Sequence, residues 1–181
     1  MPKGLTRNSS PIQVSGRIQE SAPNTFTTVE IDLTLNALDQ EVFVVTQVNL
    51  DIDAPDIAWA SAASAPDSVI ESFVVATLST TARSTIGSIA DSNVIAQAKR
   101  TIQCAAPTSG SFAVGFDRED PLFAPTSDEY IGIVATSNMH LNLLGFANYD
   151  IKDCAVRVYG YRAKMDAAGY AALVQSQVLS S

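Results

Sequence analysis

Charged and chemically reactive side chains are scarce in this chain. Only 17% of its 181 residues are charged, against about a quarter in an ordinary domain. There is a single histidine, His140, and there are two cysteines, Cys104 and Cys154. A zinc site needs more nitrogen and sulfur ligands than these supply. The cysteines are too far apart for a CxxC motif. They read as small buried hydrophobes, with a disulfide between them left open. No glycine-rich phosphate cradle occurs. No GxSxG elbow surrounds any serine, so nothing places a nucleophile beside His140. Long apolar runs are missing too. No segment approaches the ~20 apolar residues of a membrane span. The first twenty residues, with Pro2, Lys3, Arg7 and Pro11, have no continuous apolar stretch, so no signal peptide is expected and synthesis in a cytosol is.

What the chain has in quantity is apolar residues in alternation. Hydrophobic residues make up 46%, enough to exclude disorder throughout. A chain of this length suits one domain with a core that needs no disulfide or metal staple. Val29, Ile31, Leu33 and Leu35 interleave with Glu30, Asp32 and Thr34, and Val48, Leu50 and Ile52 with Asn49, Asp51 and Asp53. Successive strand residues face opposite sides, so this period of two marks strands with one dry face. Val42 to Val45 is apolar on both sides, which predicts a strand end covered on both faces.

Applied along the chain, the same reading predicts about eight strands. They cover 25–35, 41–53, 68–80, 94–104, 111–116, 129–136, 140–147 and 154–165. Ser137-Asn138 reads as the turn of a hairpin joining the sixth and seventh. Residues 117–128 read as an acidic loop, and 57–67, with Trp59, as a long connection. Residues 1–24, rich in Ser and Pro, read as an extended, flexible arm. In 166–181 the period changes to helical. Asp166 is the expected N-cap, and Tyr170, Leu173, Val174 and Val178 share a face. The domain plan is thus an arm (1–24), a β-sandwich (25–165) and a helical tail (166–181). No βαβ alternation and no fixed-period repeat is present. An antiparallel two-sheet sandwich remains, and its long crossings favour jelly-roll over immunoglobulin-like topology.

The formal net charge is −8, which argues against nucleic-acid binding by the body. Lys3, Arg7 and Arg17 all precede the first acid, Glu20, so the arm is locally basic. Asp51, Asp53 and Asp56 cluster at a strand end and form a candidate calcium site, since hard cations take several carboxylate oxygens. The spacing is not that of an EF-hand, and a solvated strand terminus is the competing reading. Asp117, Arg118, Glu119 and Asp120 form a second acidic cluster, read as a solvated loop. Arg157, Tyr159 and Tyr161 lie on one face of the last strand. They form a candidate interface, or a surface packed beneath the terminal helix.

The basic Ser/Pro-containing arm (Lys3, Arg7, Arg17), the eight strands and the long neutral loops, with no active-site constellation, together resemble the viral coat proteins of the single jelly-roll kind. The resemblance implies a non-catalytic structural tile that makes homo-oligomeric capsomers and resides in the virion after synthesis in the host cytoplasm. Its partners would be copies of itself and other virion proteins. The arm would tie subunits together, with genome contact the weaker expectation because the arm is only modestly basic. The competing expectation is a carbohydrate- or receptor-binding β-sandwich module, with calcium assistance at the aspartates. A cupin-type enzyme would need several His ligands.

Overall fold

The computed structural model describes residues 4–56, 69–105, 116–119 and 130–179. Ten strands form within them: β1 (Leu5–Arg7), β2 (Ile12–Gln19), β3 (Thr27–Asp32), β4 (Glu41–Ile52) and β5 (Val69–Ser79), then β6 (Val94–Ala105), β7 (Phe116–Glu119), β8 (Gly132–Val134), β9 (Asn138–Phe146) and β10 (Asp153–Met165). Helix α1 (Ala167–Leu179) follows. All pairings are antiparallel. In the first sheet β10 lies between β4 and the end-to-end strands β1 and β2, and β8 flanks β4. The second sheet runs β3-β9-β5-β6-β7.

The alternation decides which side chains are dry. Phe43, Val45, Val48 and Ile52 of β4 enter a core shared with Val74, Ala76 and Leu78 of β5 and with Met139, Leu141 and Leu143 of β9. The inward residues step by three between Val45 and Val48 because β4 is bulged. Tyr159 pairs with Gln47 but Gly160 pairs with Val45, leaving Thr46 extra. Its hydroxyl donates to the Tyr159 carbonyl at 3.1 Å. A bulge of this kind re-aims side chains without ending the ladder.

The start of β4 is covered on both faces, as its sequence requires. Val42 to Val45 are all 0% exposed. Val42 and Val44 face outward into a second apolar cluster with Leu5 and Ala163, closed by Tyr170, Leu173 and Val174 of α1. Burying a valine side chain fully is worth roughly 1.5–3 kcal/mol, so this patch holds the helix on the sheet. Asp166 caps the helix, its Oδ1 accepting the Gly169 N–H at 2.7 Å.

Four expectations need correction. Residues 4–24 do not form an irregular arm: β1 and β2 are laddered to β10. The break between them is a bend at 8–11. There Asn8 N–H donates to the Arg162 carbonyl at 3.0 Å, and the Ser9 hydroxyl accepts the Arg162 N–H at 2.8 Å. The residues around Ser137 form no hairpin, because β8 pairs with β4 while β9 pairs with β3 and β5. The chain crosses between sheets there, held by the Thr136 hydroxyl on the Thr80 carbonyl at 3.2 Å. Residues 117–119 are strand rather than loop, paired to β6. The described strands also number ten rather than eight. The expected connection at 57–67 with Trp59, and most of the expected strand at 111–116, lie outside the described residues.

Candidate functional site

Two of the three residues singled out as basic, Arg7 and Arg17, are bound to their own chain. Lys3 lies outside the described residues. The Arg7 guanidinium sits 4.6 Å above the Tyr161 ring and donates to the Ser9 carbonyl at 2.7 Å. Arg17 is ion-paired to Asp153, which holds the guanidinium pKa above its ordinary value through hydrogen bonding and charge. Arg157, Tyr159 and Tyr161 alternate along the outer face of β10, as expected, but their surroundings differ. Tyr161 is packed in the helix-covered cluster, Tyr159 is half-buried, and Arg157 is exposed.

The candidate calcium ligands do not converge. Asp51 is exposed on the outer face of β4. Asp53 accepts the Asp153 N–H at 2.9 Å. Asp56 turns to the loop before β10, where its Oδ2 accepts the Tyr149 and Asp150 N–H groups at 2.8 and 3.0 Å and its Oδ1 pairs with Lys152. Among the described residues no group of three His, Cys, Asp or Glu side chains is placed to hold a metal ion. The local spacing at 51–56 suggested a cation site, but a buried lysine supplies the positive charge to Asp56 instead.

That lysine belongs to a polar network that the sequence gives no local sign of. Lys152 is 5% exposed and Glu20 3%. Glu20 accepts the Gly145 N–H at 2.7 Å and the Lys152 N–H at 3.0 Å. The buried Asn148 accepts the Asp56 N–H at 2.9 Å and donates to the Phe73 carbonyl at 3.1 Å. Asn24 clasps the Asn148 backbone with both ends of its amide, at 2.8 Å each. Burial acts to raise the Asp56 pKa, but hydrogen bonds from Lys152, Asp150 and Tyr149 outweigh it and hold the carboxyl below its usual range. The network ties together the ends of β2, β4 and β9 and the start of β10. Its groups satisfy one another, so its role is to lock this end of the sandwich.

No catalytic constellation is found among the described residues. His140 lies on the outer face of β9 opposite Glu30. Burial lowers its pKa, with the Glu30 charge opposing, and no described nucleophile is hydrogen-bonded to its ring. Cys154 is a free buried thiol, which closes the question of its disulfide. Burial pushes its pKa up to about 12, so little of the reactive thiolate exists near neutral pH. An open cleft of about 360 Å³ lies at the opposite end of the sandwich, walled partly by Arg83, Asp91 and Asn93. There Arg83 already donates to Asn93 at 2.6 Å and Asp91 at 2.8 Å. No described helix is long and apolar enough to cross a membrane.

One further missed residue is Gln177, on the buried face of α1. Its Oε1 accepts the Ala135 N–H at 3.1 Å and its Nε2 donates to the Ile133 carbonyl at 2.8 Å. The side-chain amide thus stands in for a neighbouring strand beside β8. Its signal was a polar residue at helical spacing from Tyr170, Leu173 and Val174.

The fold and these contacts define an antiparallel two-sheet β-protein with a helix-covered flank. No protein-family model matches the chain, and no curated protein matches it in sequence.

Proposed function

We propose that the chain is a non-catalytic structural subunit of a viral capsid, of jelly-roll topology, which self-assembles into a homo-oligomeric shell. The observation that carries the jelly-roll part of this reading is the order of strand pairing. With β1 and β7 set aside, the eight remaining strands pair first with last (β2 with β10), then β3 with β9, β4 with β8, and β5 with β6. A ribbon folded back at β5–β6 and rolled gives this nested order and two four-stranded sheets. Capsid, lectin and cupin domains share that architecture, so the fold alone does not choose among them. The low charge density, 17% of residues, favours the capsid reading: few charges must be desolvated when copies meet. In this reading the protein resides in the virion, is made in the host cytoplasm, and has copies of itself and other virion proteins as partners.

Electron microscopy of the purified full chain tests it. Closed particles or rings are expected, and a stable monomer at high concentration in every salt condition overturns the reading. Deleting residues 1–24 is not a clean test of assembly, because it removes two strands, β1 and β2, from the first sheet.

One surface favours a carbohydrate- or receptor-binding module instead. Phe146 is 53% exposed and stacks on Phe73 with ring centroids 5.0 Å apart. The Lys99 ammonium lies 4.1 Å from the Phe73 ring centre. An exposed ring such as that of Phe146 suits the apolar face of a sugar. Specific glycan retention that Phe146→Ala abolishes, on a chain that stays monomeric, would select this second reading.

A further inference from the structure

A sheet's outer strand carries unpaired N–H and C=O groups that invite another strand, and proteins commonly block them with charges or a covering segment. The edges of this fold are treated unequally. Gln177 occupies the groups beside β8. The outward face of β3 carries Glu30 and Asp32, both exposed. The outer edge of β2 has no covering segment among the described residues, and its single charge, Arg17, is paired within the chain.

The register shows which β2 groups are free. Glu20 N–H donates to the Lys152 carbonyl at 2.9 Å, and the ladder continues with Ile18 opposite Cys154 and Val14 opposite Val158. Even-numbered residues therefore bond to β10, since alternate residues of a strand point their backbone groups to opposite sides. The groups of Gln13, Ser15, Arg17 and Gln19 point away from the sheet. No backbone partner for them exists among the described residues, and all four residues are exposed. Seven of the eight β2 residues are uncharged, and its one charge, Arg17, is paired with Asp153.

We infer that the outer edge of β2 pairs with the same edge of a second copy, antiparallel and about a two-fold axis near Ser15, so that the two first sheets become one continuous sheet. A second copy is the occupant because a self-assembling subunit supplies one, and because the strand can meet its own copy without a charge clash. Residues with outward groups must face one another across the axis. Ser15 then lies opposite Gln13, Ser15 or Arg17 of the second copy, and in none of these registers does Arg17 meet Arg17. An isologous contact of this kind buries the same patch on both copies. The inference rests on the reading of the chain as a self-assembling subunit.

Sedimentation velocity on the full chain tests both ideas separately. Ser15→Pro removes an N–H that no β10 group uses, and edge positions tolerate proline when that N–H faces outward. Ser15→Lys places like charges directly opposite each other in the Ser15 and Arg17 registers, and diagonally across the axis in the Gln13 register. The wild-type chain is expected to self-associate. Both variants are expected to keep its circular dichroism and melting temperature while weakening association at least tenfold. If Ser15→Pro fails to fold, Ser15→Lys, an exposed substitution, decides alone. A wild-type chain that stays monomeric overturns this pairing and the capsid reading together. Association unchanged in the folded variants overturns the pairing and leaves the capsid reading standing.

Discussion

Asp56 and Lys152 form an unequal pair. Asp56 keeps two backbone donors, Tyr149 and Asp150, if the lysine is lost. Lys152 has no described side-chain partner other than Asp56. Removing one member of a buried pair is costly because it strands the other charge, commonly by about 3–5 kcal/mol. Asp56→Ala is therefore expected to destabilise the protein by about 3 kcal/mol, and Lys152→Met by clearly less, as read by chemical denaturation. The acid response follows from the same site. The folded-state pKa of Asp56 is depressed, so its stabilisation is present above the unfolded carboxyl pKa of about 4 and is lost as pH falls through the lower folded value. Melting temperature measured from pH 6 downward should drop on entering that range, and Asp56→Asn should flatten the drop. A wild-type profile with no such drop would refute the assignment. None of this was legible at 51–56. The partners Glu20, Asn24, Asn148 and Lys152 are scattered in sequence, and only the fold assembles them.

At the scale of elements, alternation and helix capping were legible and strand partnership was not. β4, predicted over 41–53, spans Glu41–Ile52, and β10, predicted over 154–165, spans Asp153–Met165. Asp166 caps α1 as expected. β2 also alternates, Ile12, Val14 and Ile18 against Gln13, Arg17 and Gln19, but Gly16 interrupts the apolar series and Ser and Pro precede it. The structure supplies the reason for that glycine: a Cβ there would lie 2.8 Å from the Ile31 side chain. Partnership escaped because Ser137-Asn138 has turn composition whether the next strand stays in its sheet or leaves it. Gln177 belongs to this scale, since it joins helix to strand. Gln177→Ala leaves a buried N–H and C=O at β8 without their partner, a loss typically costing about 1–3 kcal/mol. A fall of about 2 kcal/mol in unfolding free energy is expected, with faster exchange of the Ala135 amide. Unchanged protection of that amide would show that the clamp contributes nothing.

Across the whole molecule, the nested pairing makes folding depend on chain segments far apart in sequence. β2 finds β10 across more than a hundred intervening residues, and β10 separates β2 from β4. Such topologies fold slowly, on the order of milliseconds to seconds, because loop closure precedes the contacts that reward it. Stopped-flow refolding should show no dominant phase in microseconds. A chain ending at Asp150 should not reach the native fold, because the first sheet then lacks the strand between its two halves.

Charge at this scale bears on assembly. Each copy carries a net charge of −8, so two copies repel at low ionic strength. The screening length falls from about 30 Å at 0.01 M salt to about 8 Å at 0.15 M. An interface built on charge pairs weakens as salt rises, whereas one built on backbone pairing between neutral edges loses only the repulsion. The β2 edge is of the second kind, its one arginine being matched within its own copy. Self-association followed by sedimentation at 0.01, 0.05 and 0.15 M salt should therefore strengthen steadily. Dissociation on adding salt would point to ion pairs between copies and against the β2 contact.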